Sequence, residues 1–443
     1  MKFPWATRPS SIAALTWAAV FGLRAMPIAT FRPLTDAVCL LLAVGLGLFL
    51  GGFFLGRNLP FISIKRKRML QLTQSEKSKL TTFVLIFACI GALGALMRVY
   101  DFLFLRGLDY SAGLGAARLE NMRLVEEAGA GTNYLSAISR SLIGFSSVAA
   151  MLVFLRFEQF KWDTIRIALL SFATVLGASA LEGGRNTIAV NFVLIASCII
   201  TRKALGKRGL PEHKNLKRAI NIGVLLSLAL LSYIWIDRLE AVGHEGQAAT
   251  AALETVFDMK FADWISQLQI DGVGGILFTL VGIVFYVIHG VNQMNWLVGS
   301  IDSQHLSLGS YNFDLPALAL QSISGWNVRF DPSVLERVGV YMTAIGELYI
   351  DFGFEGTLLA LLAIGYLMGS VWSRMKSSNS VASELLNAWG VAGILVSPLY
   401  SILAGFFGVL AVMLLFAVLF GHGRTQSGLS RIAPVPPHTA AES

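Results

Sequence analysis

The stretch Glu182-Gly183-Gly184-Arg185-Asn186 sets a carboxylate and a permanent cation around two adjacent glycines, between two apolar runs. Paired glycines let the backbone turn sharply and present its amides to an anion, and a guanidinium beside them suits a phosphate. Charge between apolar runs is expensive unless it is paired or functional. The plainer reading is a tight turn between helices closed by an internal Glu182–Arg185 ion pair. Arg185, with Asn186 beside it, is one candidate anion-binding position.

A second group is Gly346-Glu347-Leu348-Tyr349-Ile350-Asp351-Phe352-Gly353-Phe354-Glu355-Gly356. Glu347 and Asp351 stand four apart and share one face of a helix. Carboxylates in a partly dry site serve as general bases. Acids in the first turn of a membrane helix also simply complement its dipole. His289, in the apolar run Tyr286-Val287-Ile288-His289-Gly290, is a proton acceptor if it faces a cavity and a structural residue if it faces packing. Arg98, Arg118, Arg123 and Arg329 are the next candidates for anion contacts. His244 and His305 lie in polar loops and are weaker candidates.

Membrane helices must position these residues. Of the 443 residues 55% are hydrophobic and 14% charged, against about 25% charged in a soluble domain. Apolar blocks lie near 11–31, 34–55, 80–100, 134–155, 165–182, 187–201, 219–236, 276–298, 353–372, 383–399 and 402–421. A helix of about 20 residues crosses the hydrocarbon core, so the expectation is an all-α polytopic membrane protein with about 10–12 transmembrane helices. It forms a single membrane domain over 1–421, followed by a disordered cytoplasmic tail, 422–443. Lys2 and Arg8 precede an apolar run without a clear cleavage site, which reads as a retained first helix. Cys39, Cys89 and Cys198 all sit in apolar blocks, so no disulfide framework and no metal site is expected.

The charge is sorted along the chain. Basic clusters at 65–68, 77–79, 156–166, 202–218 and 374–376 become cytoplasmic under the positive-inside rule, and both termini lie inside. The net charge of +8 is then a topology signal and excludes a nucleic-acid reading. Of the 12 basic residues left to the membrane and outer face, 11 are arginine. Arginine grips phosphate or carboxylate bidentately, which lysine cannot do. Simple pairing with the 21 acids on that side is the plainer account.

Two outer segments, 101–133 and 237–352, are too long to be turns. In the first, 116–130 alternates charge with Leu and Met and can form an amphipathic surface helix. In the second, block 276–298 must return to the side it left. Gly272, Gly274, Gly275, Gly290 and Gly299 suggest a re-entrant or broken element lining a cavity.

The chain has no Asp-x-Asp, no Walker A sequence and no His-Glu-x-x-His. A metal-dependent nucleotide-sugar transferase, an ATP-driven pump and a zinc protease are disfavoured accordingly.

Glu182-Gly183-Gly184-Arg185-Asn186, Arg106-Gly107 with Arg118, and Leu348-Tyr349-x-Asp351-Phe352-Gly353-x-x-Gly356 together resemble the Wzy-type O-antigen and capsule polymerases, over roughly residues 30–420. That resemblance implies a multi-pass enzyme of the bacterial inner membrane with GT-C-like architecture and a periplasmic active site. Its substrates would be undecaprenyl-pyrophosphate-linked glycans in the lipid bilayer. It implies no cofactor, requires no metal, and leaves open whether a chain-length regulator binds. Arg185 would meet a pyrophosphate and Arg118 or Arg329 a second. Arg98, Arg123, Asn186 and Tyr349 complete the substrate-binding set. His289 or Glu347 would be the base. The rivals are an O-antigen ligase, which shares the donor, and a polysaccharide or lipid transporter, whose usual paired halves are not seen here.

Overall fold

The computed structural model describes residues 5–60, 72–127, 134–183, 185–210, 259–267, 272–301, 306–313, 342–378 and 380–429, with isolated positions between 217 and 254 and between 316 and 321. Helices dominate. In chain order they are α1 (Pro9–Arg24), α2 (Asp36–Asn58), α3 (Gln74–Tyr100), α4 (Leu114–Glu127), α5 (Tyr134–Arg156), α6 (Trp162–Leu181), α7 (Arg185–Ala204), α8 (Gly272–Ser300), α9 (Ala344–Ser377), α10 (Val381–Val396) and α11 (Ile402–Leu429). Two short strands, β1 (Ala29–Phe31) and β2 (Met259–Phe261), pair antiparallel with Thr30 opposite Lys260.

Seven helical spans among the described residues are long and apolar enough to cross a membrane: Asp36–Asn58, Gln74–Leu105, Leu135–Gln159, Trp162–Leu181, Asn186–Ala204, Leu280–Ser300 and Ala344–Ser377. Val381–Val396 and Phe406–Phe420 are shorter apolar helices. The chain is thus a mostly helical, polytopic membrane protein. Block 219–236 falls largely outside the described residues.

Local sequence fixes several helix starts. Thr73 and Glu76 form a reciprocal capping box at α3. The Thr343 hydroxyl accepts from the Gly346 amide at 3.1 Å at α9. Each such cap satisfies an amide that has no partner within the helix.

Packing relies on small residues and buried polar bridges. α2 and α9 run parallel, with Gly52 and Gly56 of α2 against the Leu362 and Tyr366 carbonyls of α9. Gly365 and Gly369 of α9 meet the Phe49 and Phe53 carbonyls in return. Glycine on both sides lets the two backbones touch, as apolar helices in lipid require for close association. Gly91 and Gly94 of α3 do the same against Ser146 and Leu142 of α5. Ser146 joins Ser171 at 2.6 Å, and Ser171 donates to the Ala88 carbonyl at 2.6 Å, tying α3, α5 and α6. Asn387 donates to Thr201 at 2.9 Å, tying α10 to α7.

Two large apolar cores result, with two smaller clusters beside them among the described residues. One joins α3, α5, α6 and α7 to α10 and α11. The other joins α1, α2, α8 and α9, again with α10. Leu385 and Ala388 of α10 serve the first core, Val391 and Ile394 the second, so this short helix is the joint between them.

One expectation changes here. Residues 276–298 are not a broken element: α8 runs unbroken from Gly272 to Ser300. Its Gly290 instead admits the Pro398 carbonyl and Thr343 at close range. Breaks lie instead in α9, where Gly353 (φ 65°, ψ −165°) divides the helix into arms 344–352 and 354–377, and in α11, where Phe406 (φ −130°, ψ 26°) is non-helical. Of the amphipathic helix expected over 116–130, residues 116–127 are helical as part of α4, and 128–130 lie outside the described residues.

Candidate functional site

Two polar groups stand at the ends of these helices. The first begins where α3 passes into the π-helical turn Asp101–Leu105, closed by the Arg106 amide on the Asp101 carbonyl at 2.9 Å. Arg98, only 1% exposed, sits at the centre. Its Nη2 donates to Glu182 Oε1 at 2.6 Å, its Nη1 donates to the Ser136 hydroxyl, and Asp101 Oδ2 lies 3.7 Å away. The guanidinium also lies over the Phe102 ring at 4.5 Å, a contact that strengthens once water is excluded. Arg106 binds Asp101 Oδ2 at 3.1 Å and Asn121 of α4 at 2.6 Å. Arg140 of α5 reaches the same Glu182 oxygen at 3.6 Å.

The Glu182 turn completes this group. Gly183 has φ +64°, and the Arg118 side chain of α4 lies against it. Tyr110 donates to the Leu181 carbonyl at 3.0 Å. Burial, with the nearby Glu182 carboxylate adding to it, pushes the Tyr110 phenol up to about 12. Among the described residues, three arginines therefore converge on two carboxylates, with a fourth alongside. Such a concentration of forked donors suits an anion with several oxygens.

The second group lies on the first arm of α9. Asp351 is fully buried and accepts from the Ser307 hydroxyl, the Gly309 amide (3.0 Å), the Tyr311 amide (3.0 Å), and the Asn312 amide (3.2 Å) and side chain (2.7 Å). It therefore anchors the loop 306–313 and has no capacity left for base chemistry. Glu347, one turn earlier, is differently placed. Its Oε2 accepts from the Ser401 amide at 2.8 Å, just before α11. Burial raises the pKa of the Tyr311 phenol, with Glu347 and Asp351 adding to the shift.

The groups are bridged. Phe313, closing the 306–313 loop, packs edge-on against Phe407 of α11 at 5.7 Å. The next residue, Gly408, touches α5 at Gly144 and at the Arg140 and Ser141 carbonyls. α11 thus touches both the loop that Asp351 anchors and the helix that carries Arg140.

The residues expected from sequence distribute unevenly. Arg98 and Arg118 join the first group. Arg123 is exposed on α4. Asn186 is half-buried in the first turn of α7. Arg185 opens α7, but its side chain, like the whole of Arg329, lies outside the described residues. Tyr349 is buried, its hydroxyl 3.4 Å from the Val298 carbonyl. His289 is 1% exposed, stacked on Phe285 at 5.2 Å, with Nδ1 3.3 Å from the Phe285 carbonyl. Its neighbour Gly290 meets Thr343, which caps the helix that carries Glu347.

Ser136, Asn312 and Ser401 escaped the sequence reading, and Arg140 entered it only as one of the 11 arginines of the membrane and outer face. Arg140 carried a signal, as a lone charge inside an apolar block. The others are common polar residues, meaningful only once the helices are assembled. No cluster of three or more metal-ligating side chains occurs among the described residues.

No family model, no curated protein and no solved structure matches this chain.

Proposed function

We propose that this chain is a membrane glycosyltransferase that polymerises undecaprenyl-pyrophosphate-linked oligosaccharide repeat units into O-antigen or capsule on the periplasmic face of the bacterial inner membrane. The observation that carries the reading is the convergence of Arg98, Arg106 and Arg140 on Asp101 and Glu182, with Arg118 beside Gly183. The positive-inside assignment puts this end of the bundle outside, and GT-C-like architecture is part of the same proposal.

The acceptor hydroxyl oxygen would bond to the anomeric carbon of the donor glycan as the bond to the lipid diphosphate breaks. The hydroxyl proton passes to a base, and undecaprenyl diphosphate leaves. Guanidiniums stabilise charge developing on the departing diphosphate. Glu347 is the favoured base, because Ser401 holds one of its oxygens in place while the other has no hydrogen-bond partner among the described residues. His289, stacked in the adjoining helix, is the other candidate. Arg185 remains the proposed partner of a pyrophosphate.

Surface glycans of source cells lacking the gene test this directly. Collapse of the polymer ladder to a single repeat unit, restored by wild type and not by Arg185→Ala, supports the reading. Loss of every repeat from the surface acceptor points to a ligase or a transporter, and an unchanged ladder removes the proposal.

A further inference from the structure

We propose that, within the Arg98–Arg106–Arg140 cluster, Arg140 is the guanidinium that touches a lipid diphosphate, in addition to Arg185, and that Arg98 is a positioning residue acting on it through Glu182; this rests on the transferase reading above. Sequence alone ranks Arg98 as a ligand, and the geometry reverses that. Arg98 is enclosed: Glu182, Ser136 and Asp101 surround its terminal nitrogens and Phe102 covers one face. An incoming phosphate could reach it only by displacing those partners.

The Arg140 side chain is 48% exposed, against 2% for Arg98 and 11% for Arg106. It approaches the same Glu182 oxygen that Arg98 binds, at 3.6 Å rather than 2.6 Å. The carboxylate is thus fixed from the buried side and orients the exposed cation from the other. A charged ligand group is most effective when a second layer of contacts holds its direction. The backbone at Arg140 also adjoins Gly408, next to the Phe407–Phe313 contact that leads to Glu347.

The test is binding of undecaprenyl pyrophosphate to the full chain in detergent, with thermal unfolding measured in parallel. Arg140→Ala should weaken binding roughly ten- to a hundredfold, the range for losing a charged hydrogen bond, with an unchanged unfolding midpoint. Arg98→Ala risks misfolding, so the isosteric Glu182→Gln carries the positioning claim. Its effect on affinity in the wild type should shrink to less than about twofold in the Arg140→Ala background, because coupled residues are non-additive. Binding by Arg140→Ala at wild-type strength overturns the proposal and leaves the transferase reading standing. A full Glu182→Gln effect in the absence of Arg140 overturns the positioning claim. A wild-type chain that does not bind this lipid overturns both the proposal and the functional reading.

Discussion

Arg156 at the end of α5 and Glu384 in the first turn of α10 are joined by two parallel hydrogen bonds, of 2.7 Å and 2.6 Å, across 228 positions of sequence. Both are buried, and Lys207 adds a third bond to Glu384 at 3.1 Å. Burial lowers the pKa of the Lys207 ammonium, which Glu384 partly offsets. Alongside, the fully buried Arg202 donates to Glu158 and to the Leu155 and Arg208 carbonyls. This network closes the bundle at the end opposite the candidate site.

Breaking the pair by Arg156→Ala should cost about 3 kcal/mol, the low end of the range for a broken buried pair, because Lys207 still pairs with the buried carboxylate. Thermal unfolding in detergent reads the loss. An apolar double replacement, Arg156→Met with Glu384→Leu, should recover most of it. A double variant no more stable than Arg156→Ala would mean that the network also supplies favourable energy beyond mutual neutralisation.

Asp351 should matter for the loop rather than for proton transfer. Leu308 is 80% exposed and has φ 49°, a conformation that costs a non-glycine residue about 1 kcal/mol or more. The Asp351 carboxylate collects the donors that hold the loop in that shape. Asp351→Ala leaves the amides of Gly309, Tyr311 and Asn312 without that acceptor, a loss of roughly 3 kcal/mol or more at the usual cost of unsatisfied buried donors. Hydrogen exchange at those amides should accelerate strongly, and less so in Asp351→Asn. Unchanged protection in Asp351→Ala would refute the anchoring role.

The membrane character, the helix α4 and the adjacency of Glu347 and Asp351 were legible in the sequence, because apolar blocks and helical spacing are local properties. The glycines in α8 were misleading. Gly290 serves close approach by the Pro398 carbonyl, and nothing in the local pattern separates that use from a break. Gly353 was visible as part of a motif, yet its positive φ depends on the 306–313 loop packed against it. Glu182 read as the natural partner of Arg185, three residues away. It binds Arg98 and Arg140, contacts between distant helices that leave no trace in spacing, while the Arg185 side chain lies outside the described residues. Arg156 was read only as part of the basic cluster at 156–166, and Glu384 not at all, for the same reason.

The seam between α2 and α9 gives a controlled pair of substitutions on one helix. A Cβ at Gly52 or Gly56 would collide with a backbone carbonyl of α9, whereas one at Gly47 or Gly51 meets nothing within 4 Å. Gly52→Ala or Gly56→Ala should each destabilise by about 1–3 kcal/mol, the usual range for overpacking. Gly47→Ala and Gly51→Ala should stay within about 1 kcal/mol of wild type, since only helix propensity changes. Unfolding midpoints of the four variants decide it. Equal effects at all four would show that the two backbones do not meet as described.

Glu347 and His289 can be separated by substitutions that keep their packing. Glu347→Gln retains an oxygen for the Ser401 amide but cannot take a proton at neutral pH. His289→Phe retains an aromatic ring against Phe285 and removes the imidazole nitrogens. Loss of a general base typically slows a reaction by about 10²–10⁴-fold. With Glu347 as base, Glu347→Gln should collapse the glycan ladder while the protein accumulates and unfolds as wild type, and His289→Phe should leave the ladder in place. The opposite pattern assigns the proton to His289. A normal ladder from both variants would place the base elsewhere and remove Glu347 from the chemistry.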